Sequence, residues 1–181
     1  SVRSVLAHSK KGAVDWALLR AWLPFIVLGA LAGTLLASQV KSLTLQVIFA
    51  VLALIAGLYL SFGRAQWRLG DGMPAQPLRG VYATCLGFFS AMMGIGGGTF
   101  GVPLMSLYNT PIHRAVATAA GFGVVIAVPA VIGFLFTTID PATRPPLTIG
   151  AVNMVAFVLV IAMTLITAPI GAKLAHSMDP K

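Results

Sequence analysis

Gly94-Ile95-Gly96-Gly97-Gly98-Thr99-Phe100-Gly101-Val102-Pro103-Leu104 lies in the middle of a window, 80–112, that contains no charged residue. A straight helix over that window would run to about 50 Å, well beyond a hydrocarbon core of about 30 Å. The window must therefore break. Four of the five positions from 94 to 98 are glycine, and each lowers helix propensity by about 1 kcal/mol relative to alanine. The break belongs there, leaving two half-helices at roughly 80–93 and 99–108.

The surrounding sequence makes this a membrane problem. Of the 181 residues, 58% are hydrophobic and only 9% charged, against about 25% charged in an ordinary soluble domain. Every charged residue falls outside the windows 21–40, 42–63, 80–112, 115–139 and 145–172, each long enough to span a bilayer at roughly 20 residues. The predicted fold class is all-α, a polytopic transmembrane protein. The net charge of +8, from 12 Lys and Arg against 4 Asp and Glu, sits in the short connections between spans. There it acts as a topology signal and contacts headgroups, and no nucleic-acid partner is expected. Cys85 is the only cysteine and lies in an apolar window, so neither a disulfide framework nor a thiol metal cluster is expected.

Charge also decides how the two half-helices lie. Arg3, Lys10 and Lys11, and the loop bearing Arg64, Arg68 and Arg79, are basic and should be cytoplasmic. If 80–108 is a re-entrant hairpin, Arg114, Lys173 and Lys181 also fall inside, and 137–147 falls outside. If it crosses instead, those three cations land outside. The hairpin is the better reading, and the expected location is the cell (inner) membrane, multi-pass.

An internal repeat points the same way. Gly12-Ala13-Val14-Asp15 recurs as Gly150-Ala151-Val152-Asn153, and the same register maps Gly33 onto Gly171 and Leu36-Ala37 onto Leu174-Ala175. The chain then divides into 1–63, the second part of a first repeat with two transmembrane helices; 64–79, a cytoplasmic linker; and 80–181, a second repeat lacking its last helix. One hairpin and three crossings per repeat make the two copies inverted, a construction common in secondary transporters.

In lipid, nonhelical backbone survives only when buried in protein or lining a wet cavity. The glycine run is thus a candidate site. Thr99 is expected to cap the second half-helix, whose first N–H groups and positive dipole end favour an anion without any buried cation. Thr118, on the next span, can add a hydroxyl. The expected ligands are Gly94, Gly96, Gly97, Gly98 and Thr99, with Thr118 in direct or indirect contact and Asn109 and Arg114 on a cytoplasmic access route. Gly97→Leu should abolish transport while sparing membrane insertion. Gly29, Gly33, Gly57, Gly121 and Gly123 read instead as helix-packing positions. His8, His113 and His176 read as solvated interfacial residues, and no cofactor is called for.

The glycine motif with the downstream Ala115-Val116-Ala117-Thr118 resembles the signature of the TauE/SafE family of sulfite and organosulfonate exporters. Ser4 through Trp16, a basic stretch leading into Gly-Ala-Val-Asp-Trp, looks like that family's central loop and the start of its next helix. The resemblance covers nearly the whole chain, although the family has two such glycine motifs and this sequence contains only the second. It implies export of small sulfur-containing anions, whereas the residues themselves indicate an anion-friendly broken helix. A coupling ion (H+ or Na+) and a homo-oligomer are compatible with that reading. The alternatives are an anion channel or a membrane assembly subunit without its own turnover. An intramembrane enzyme is not expected, because Cys85, Ser90 and Ser106 have no ionisable partner within the apolar windows.

Overall fold

The computed structural model describes residues 5–6, 9, 12–62, 68–142 and 144–177, with backbone alone at 60, 168 and 172–177. The expectations placed on Arg3, His8, Lys10, Lys11, Arg64 and Lys181 lie outside the described residues, as do the side chains of Lys173 and His176. The chain forms helices α1 (Trp16–Ala37), α2 (Ser42–Phe62), α3 (Leu78–Met92), α4 (Gly98–Leu107) and α5 (Ile112–Phe136). A short antiparallel hairpin, β1 (Thr148–Ile149) with β2 (Val152–Asn153), then leads into α6 (Met154–Ser177). Helices α1, α2, α5 and α6 are each long and apolar enough to cross a membrane, so the all-α polytopic expectation holds.

Two boundaries differ from the sequence expectation. The last span begins at Met154, well inside the apolar window 145–172, because Pro145 and Pro146 cannot continue a helix and 148–149 pair with 152–153 as strands. Helix α5 begins at Ile112, directly after Pro111. Proline fixes an N-terminal backbone angle and lacks the N–H that a first turn leaves unpaired, so His113 and Arg114 belong to the helix.

The core lies between α1, α3, α4 and α5. Trp22 of α1 stacks on Phe122 of α5 with ring centroids 5.4 Å apart, and Ile26, Met105 and Phe122 are fully buried. Helices α1 and α3 meet backbone to backbone. A Cβ added at Gly29 or at Gly33 would strike the carbonyl oxygens of Thr84 or Phe88, and one at Gly87 would strike that of Ile26. Gly29 and Gly33 form the small-xxx-small spacing that lets membrane helices approach closely. Gly121 also packs, against Leu19, whereas Gly57 has open space around it. Packing is therefore not what holds Gly57 among the described residues.

Helices α3 and α4 form an antiparallel hairpin. The Tyr108 hydroxyl, just past α4, donates to the Tyr82 hydroxyl near the start of α3 at 3.2 Å. The N–H of Leu69, ahead of α3, donates to the Leu107 carbonyl at 2.8 Å. The start of α1 lies beside the start of α5, joined by an ion pair between Asp15 and Arg114 at 2.9 Å. The segment before α3, the end of α4 and the starts of α1 and α5 consequently share one end of the molecule. That is the arrangement the hairpin topology requires.

Candidate functional site

The glycines of the 94–98 run hold different backbone duties. Gly94 stops α3. Its φ is +65°, its N–H donates to the Ala91 carbonyl, and the N–H of Ile95 donates to the Ser90 carbonyl at 3.0 Å. This bonding pattern is a Schellman motif, in which glycine takes the left-handed position at no Cβ penalty. Gly97 is buried and presses on α5: an added Cβ would lie 2.5 Å from Phe122 Cβ and 3.0 Å from the Gly123 nitrogen. Gly96 and Gly98 have nothing within 4 Å of such a Cβ. Substitution at Gly97 thus perturbs packing as well as the break, and Gly96 and Gly98 are the positions that report on the break alone.

Helix α4 starts without a side-chain cap. The cap residue is Gly97, and Thr99 lies exposed inside the first turn. This corrects the expectation that Thr99 caps the helix: the chain turns helical two residues earlier, because Gly97 already has helical backbone angles. Gly101 N–H donates to the Gly97 carbonyl at 2.8 Å, while the N–H groups of Gly96, Gly97, Gly98, Thr99 and Phe100 have no acceptor among the described residues. These orphan donors and the positive end of the α4 dipole point into the break.

Two cavities flank it. One of about 280 Å³ is lined by Ser90, Gly94, Ile95 and Gly96 on one side and by Ile126, Ala130 and Phe134, among others, on the other. The second, about 320 Å³, is lined by Gly96, Gly97, Gly98 and Val102 against Val116 and Ala119. They share Gly96 and Gly123. Gly97 meets α5 at Ala119, Phe122 and Gly123, close to the middle of that 25-residue helix, so the break sits at mid-depth. A larger and more open groove, about 840 Å³, lies over the β-hairpin and the first turns of α6. It is far in the chain from the break and is walled chiefly by proline and aliphatic side chains.

The other expected site residues are placed elsewhere. Thr118 is fully buried, and its hydroxyl oxygen accepts the backbone N–H of Asp15 at 3.0 Å. Arg114 pairs with Asp15, whose Oδ1 also accepts the N–H of Leu18 and so caps α1. Both residues tie α1 to α5. Asn109 is exposed and ends α4 in the left-handed conformation, φ 61°, with Thr110 N–H donating to the Met105 carbonyl. Asparagine is the usual substitute for glycine at that position. None of the three lines either cavity. Ser90, which does, was not among the residues expected at the site.

A hydrophobic multispanning chain whose helical hairpin is interrupted at mid-depth, with unpaired amides at the interruption, is built as a membrane transport protein. Residues 1–181, the whole chain, match the family described as Sulfite exporter TauE/SafE, and the chain belongs to that family of membrane transporters. Among curated proteins it is 22% identical to a "Probable membrane transporter protein" of Methanocaldococcus jannaschii, over 100% of this chain and 67% of that protein. It is 24% identical to another protein of that name from Haemophilus influenzae, over 94% of this chain and 65% of that one. The chain thus spans about two thirds of the length of these relatives. No solved structure matches it significantly.

Proposed function

We propose that the protein is a secondary transporter that exports a small anion, such as sulfite or an organosulfonate, across the cell (inner) membrane, and that the glycine break is part of its binding site. The observation that carries this reading is the run of unpaired N–H groups from Gly96 to Phe100 at mid-depth, beside two cavities. In a low-dielectric interior such oriented donors bind negative charge without a buried cation. The carbonyl end of α3 faces the same break, and ends of this kind hold the cation in transporters built on interrupted helices. An H+ or Na+ is accordingly the coupling ion in this proposal.

Turnover by alternating access is favoured over a static pore by the repeat. The two related tetrapeptides begin helices at Trp16 and Met154. The first starts beside the start of α5, and the second starts beside its end, where Ala151 N–H donates to the Phe134 carbonyl. Equivalent segments starting at opposite ends are what inverted repeats require.

The test is uptake of labelled sulfite and of ethanesulfonate into proteoliposomes, with Gly98→Leu as the control because Gly98 lines the second cavity and a Cβ there meets no atom within 4 Å. Saturable flux and counterflow are expected, with flux lost in Gly98→Leu at unchanged membrane insertion. Unchanged transport in the variant removes the break as the site. Flux that does not saturate makes the protein a channel.

A further inference from the structure

Ser90 sits in the last turn of α3 and is 0% exposed, and its hydroxyl has no hydrogen-bond partner among the described residues. A serine inside a helix ordinarily returns its hydroxyl to the carbonyl four residues back, here that of Leu86. This one does not. An unpaired buried hydroxyl is destabilising, so its position beside the break suits a partner from outside the described residues. Ser90 lines the 280 Å³ cavity together with Gly94 and Gly96, and the Gly96 N–H is itself unpaired. Two neutral donors, Ser90 and Gly96, therefore belong to the lining of one space, and Gly96 directly precedes the cap residue of α4.

The remaining walls limit what fits. Across the cavity stand Ile126, Ala130, Val131 and Phe134, and no charged side chain lines it. A helix terminus supplies about half an elementary charge. The desolvation cost of an ion grows with the square of its charge, so such a site suits one negative charge better than two. Apolar walls stabilise an apolar substituent in proportion to the area removed from water.

Resting on the anion-site reading above, we propose that Ser90 is a specificity-determining residue of that site. Its hydroxyl donates to the head group of a singly charged organic oxyanion whose short apolar substituent lies against Ile126, Ala130 and Phe134. The experiment is thermal unfolding of the detergent-solubilised protein, titrated with ethanesulfonate or with sulfate, in wild type, Ser90→Ala, Ser90→Thr and Gly96→Leu, since Gly96 lines the same cavity. Ser90→Ala is expected to raise the ligand-free midpoint, because an orphan donor is removed, and to weaken ethanesulfonate binding by about tenfold or more. Ser90→Thr keeps the hydroxyl and should retain binding. Wild type should bind ethanesulfonate more tightly than sulfate.

Unchanged affinity in Ser90→Ala, with binding still lost in Gly96→Leu, overturns the role of Ser90 and leaves the glycine break standing. Sulfate bound as tightly as ethanesulfonate overturns the organic monoanion. If wild type is stabilised by neither probe and transports neither, the anion site falls and the role of Ser90 falls with it.

Discussion

Helices α1 and α6 begin alike and end up in different surroundings. Gly12 and Gly150 both have positive φ, 65° and 58°. Three residues on, Asp15 accepts the N–H of Leu18 at 3.0 Å, and Asn153 accepts that of Ala156 at 2.9 Å. The helices then start at Trp16 and Met154. Beyond that point the likeness stops. Helix α1 buries Leu19, Trp22, Ile26, Gly29, Ala30, Gly33 and Thr34 between α3 and α5, whereas the apolar window of α6 has 0% of its residues buried. Local sequence decides where each helix starts, and only α1 has partners with glycines placed to receive it. Leu159, Val160 and Ile166 of α6 are exposed among the described residues.

The largest expected effect breaks this comparison at the equivalent glycines. Gly33→Val forces side-chain atoms into the Phe88 backbone, which a Cβ alone would approach to 2.3 Å, whereas Gly171 has nothing within 4 Å. Overpacking a well-fitted contact costs about 1–3 kcal/mol and more where backbone must move, so Gly33→Val should cost more than about 3 kcal/mol or prevent folding. Gly171→Val should cost under about 1 kcal/mol, the loss expected on an open helix surface. Thermal unfolding in detergent measures both. Equal losses would mean that α6 has a packing face at Gly171.

A smaller contrast separates the two turn glycines. Either alanine substitution places a Cβ in the left-handed region, at about 1–2 kcal/mol. At Gly150 the added Cβ also meets the Leu135 carbonyl oxygen at 2.2 Å, while at Gly12 it meets nothing within 4 Å among the described residues. Gly150→Ala should therefore destabilise by about 3 kcal/mol or more and Gly12→Ala by about 1 kcal/mol, again read from unfolding midpoints. Similar values would show that the hairpin moves away from α5 at little cost.

Much of this architecture was legible in the sequence, and the rest was hidden for identifiable reasons. The spans and the break follow from charges that avoid lipid and from glycines that cannot hold a helix, both of which are local facts. The antiparallel α3–α4 pair agrees with the hairpin that the charge pattern favoured. The start of α6 was misplaced because Leu147, Ile149 and Val152 are as apolar as a span, and hydropathy does not separate a short β-hairpin from a helix end. The break is where the glycines place it, but the side chains expected beside it are held elsewhere. Thr118 and Arg114 resemble ligands by residue type, yet both serve Asp15, a partner about a hundred positions away that no spacing reveals. Ser90 carries no signal at all as a lone serine in an apolar run, and only its missing partner distinguishes it.

Asp15 provides the finest test of what makes the start of α1 differ from that of α6. Its carboxylate caps the helix through Oδ1 and pairs with Arg114 through Oδ2, whereas Asn153 caps α6 with no charge of its own. Asparagine and aspartate cap about equally well, and alanine costs about 1 kcal/mol at such a position. Asp15→Asn therefore keeps the cap and removes the ion pair, making the start of α1 chemically like that of α6. The pair's side chains are 26% and 56% exposed, and an exposed ion pair contributes about 0.2–1 kcal/mol, less as salt screens it. We expect Asp15→Ala to cost about 1–2 kcal/mol at low ionic strength, the sum of cap and pair. Asp15→Asn should cost about 0.5 kcal/mol and become indistinguishable from wild type as salt is raised. If the asparagine variant instead loses as much as the alanine variant and keeps that loss in salt, the attachment to Arg114 on α5 governs the start of α1. Cap chemistry, the feature α1 shares with α6, would then be secondary.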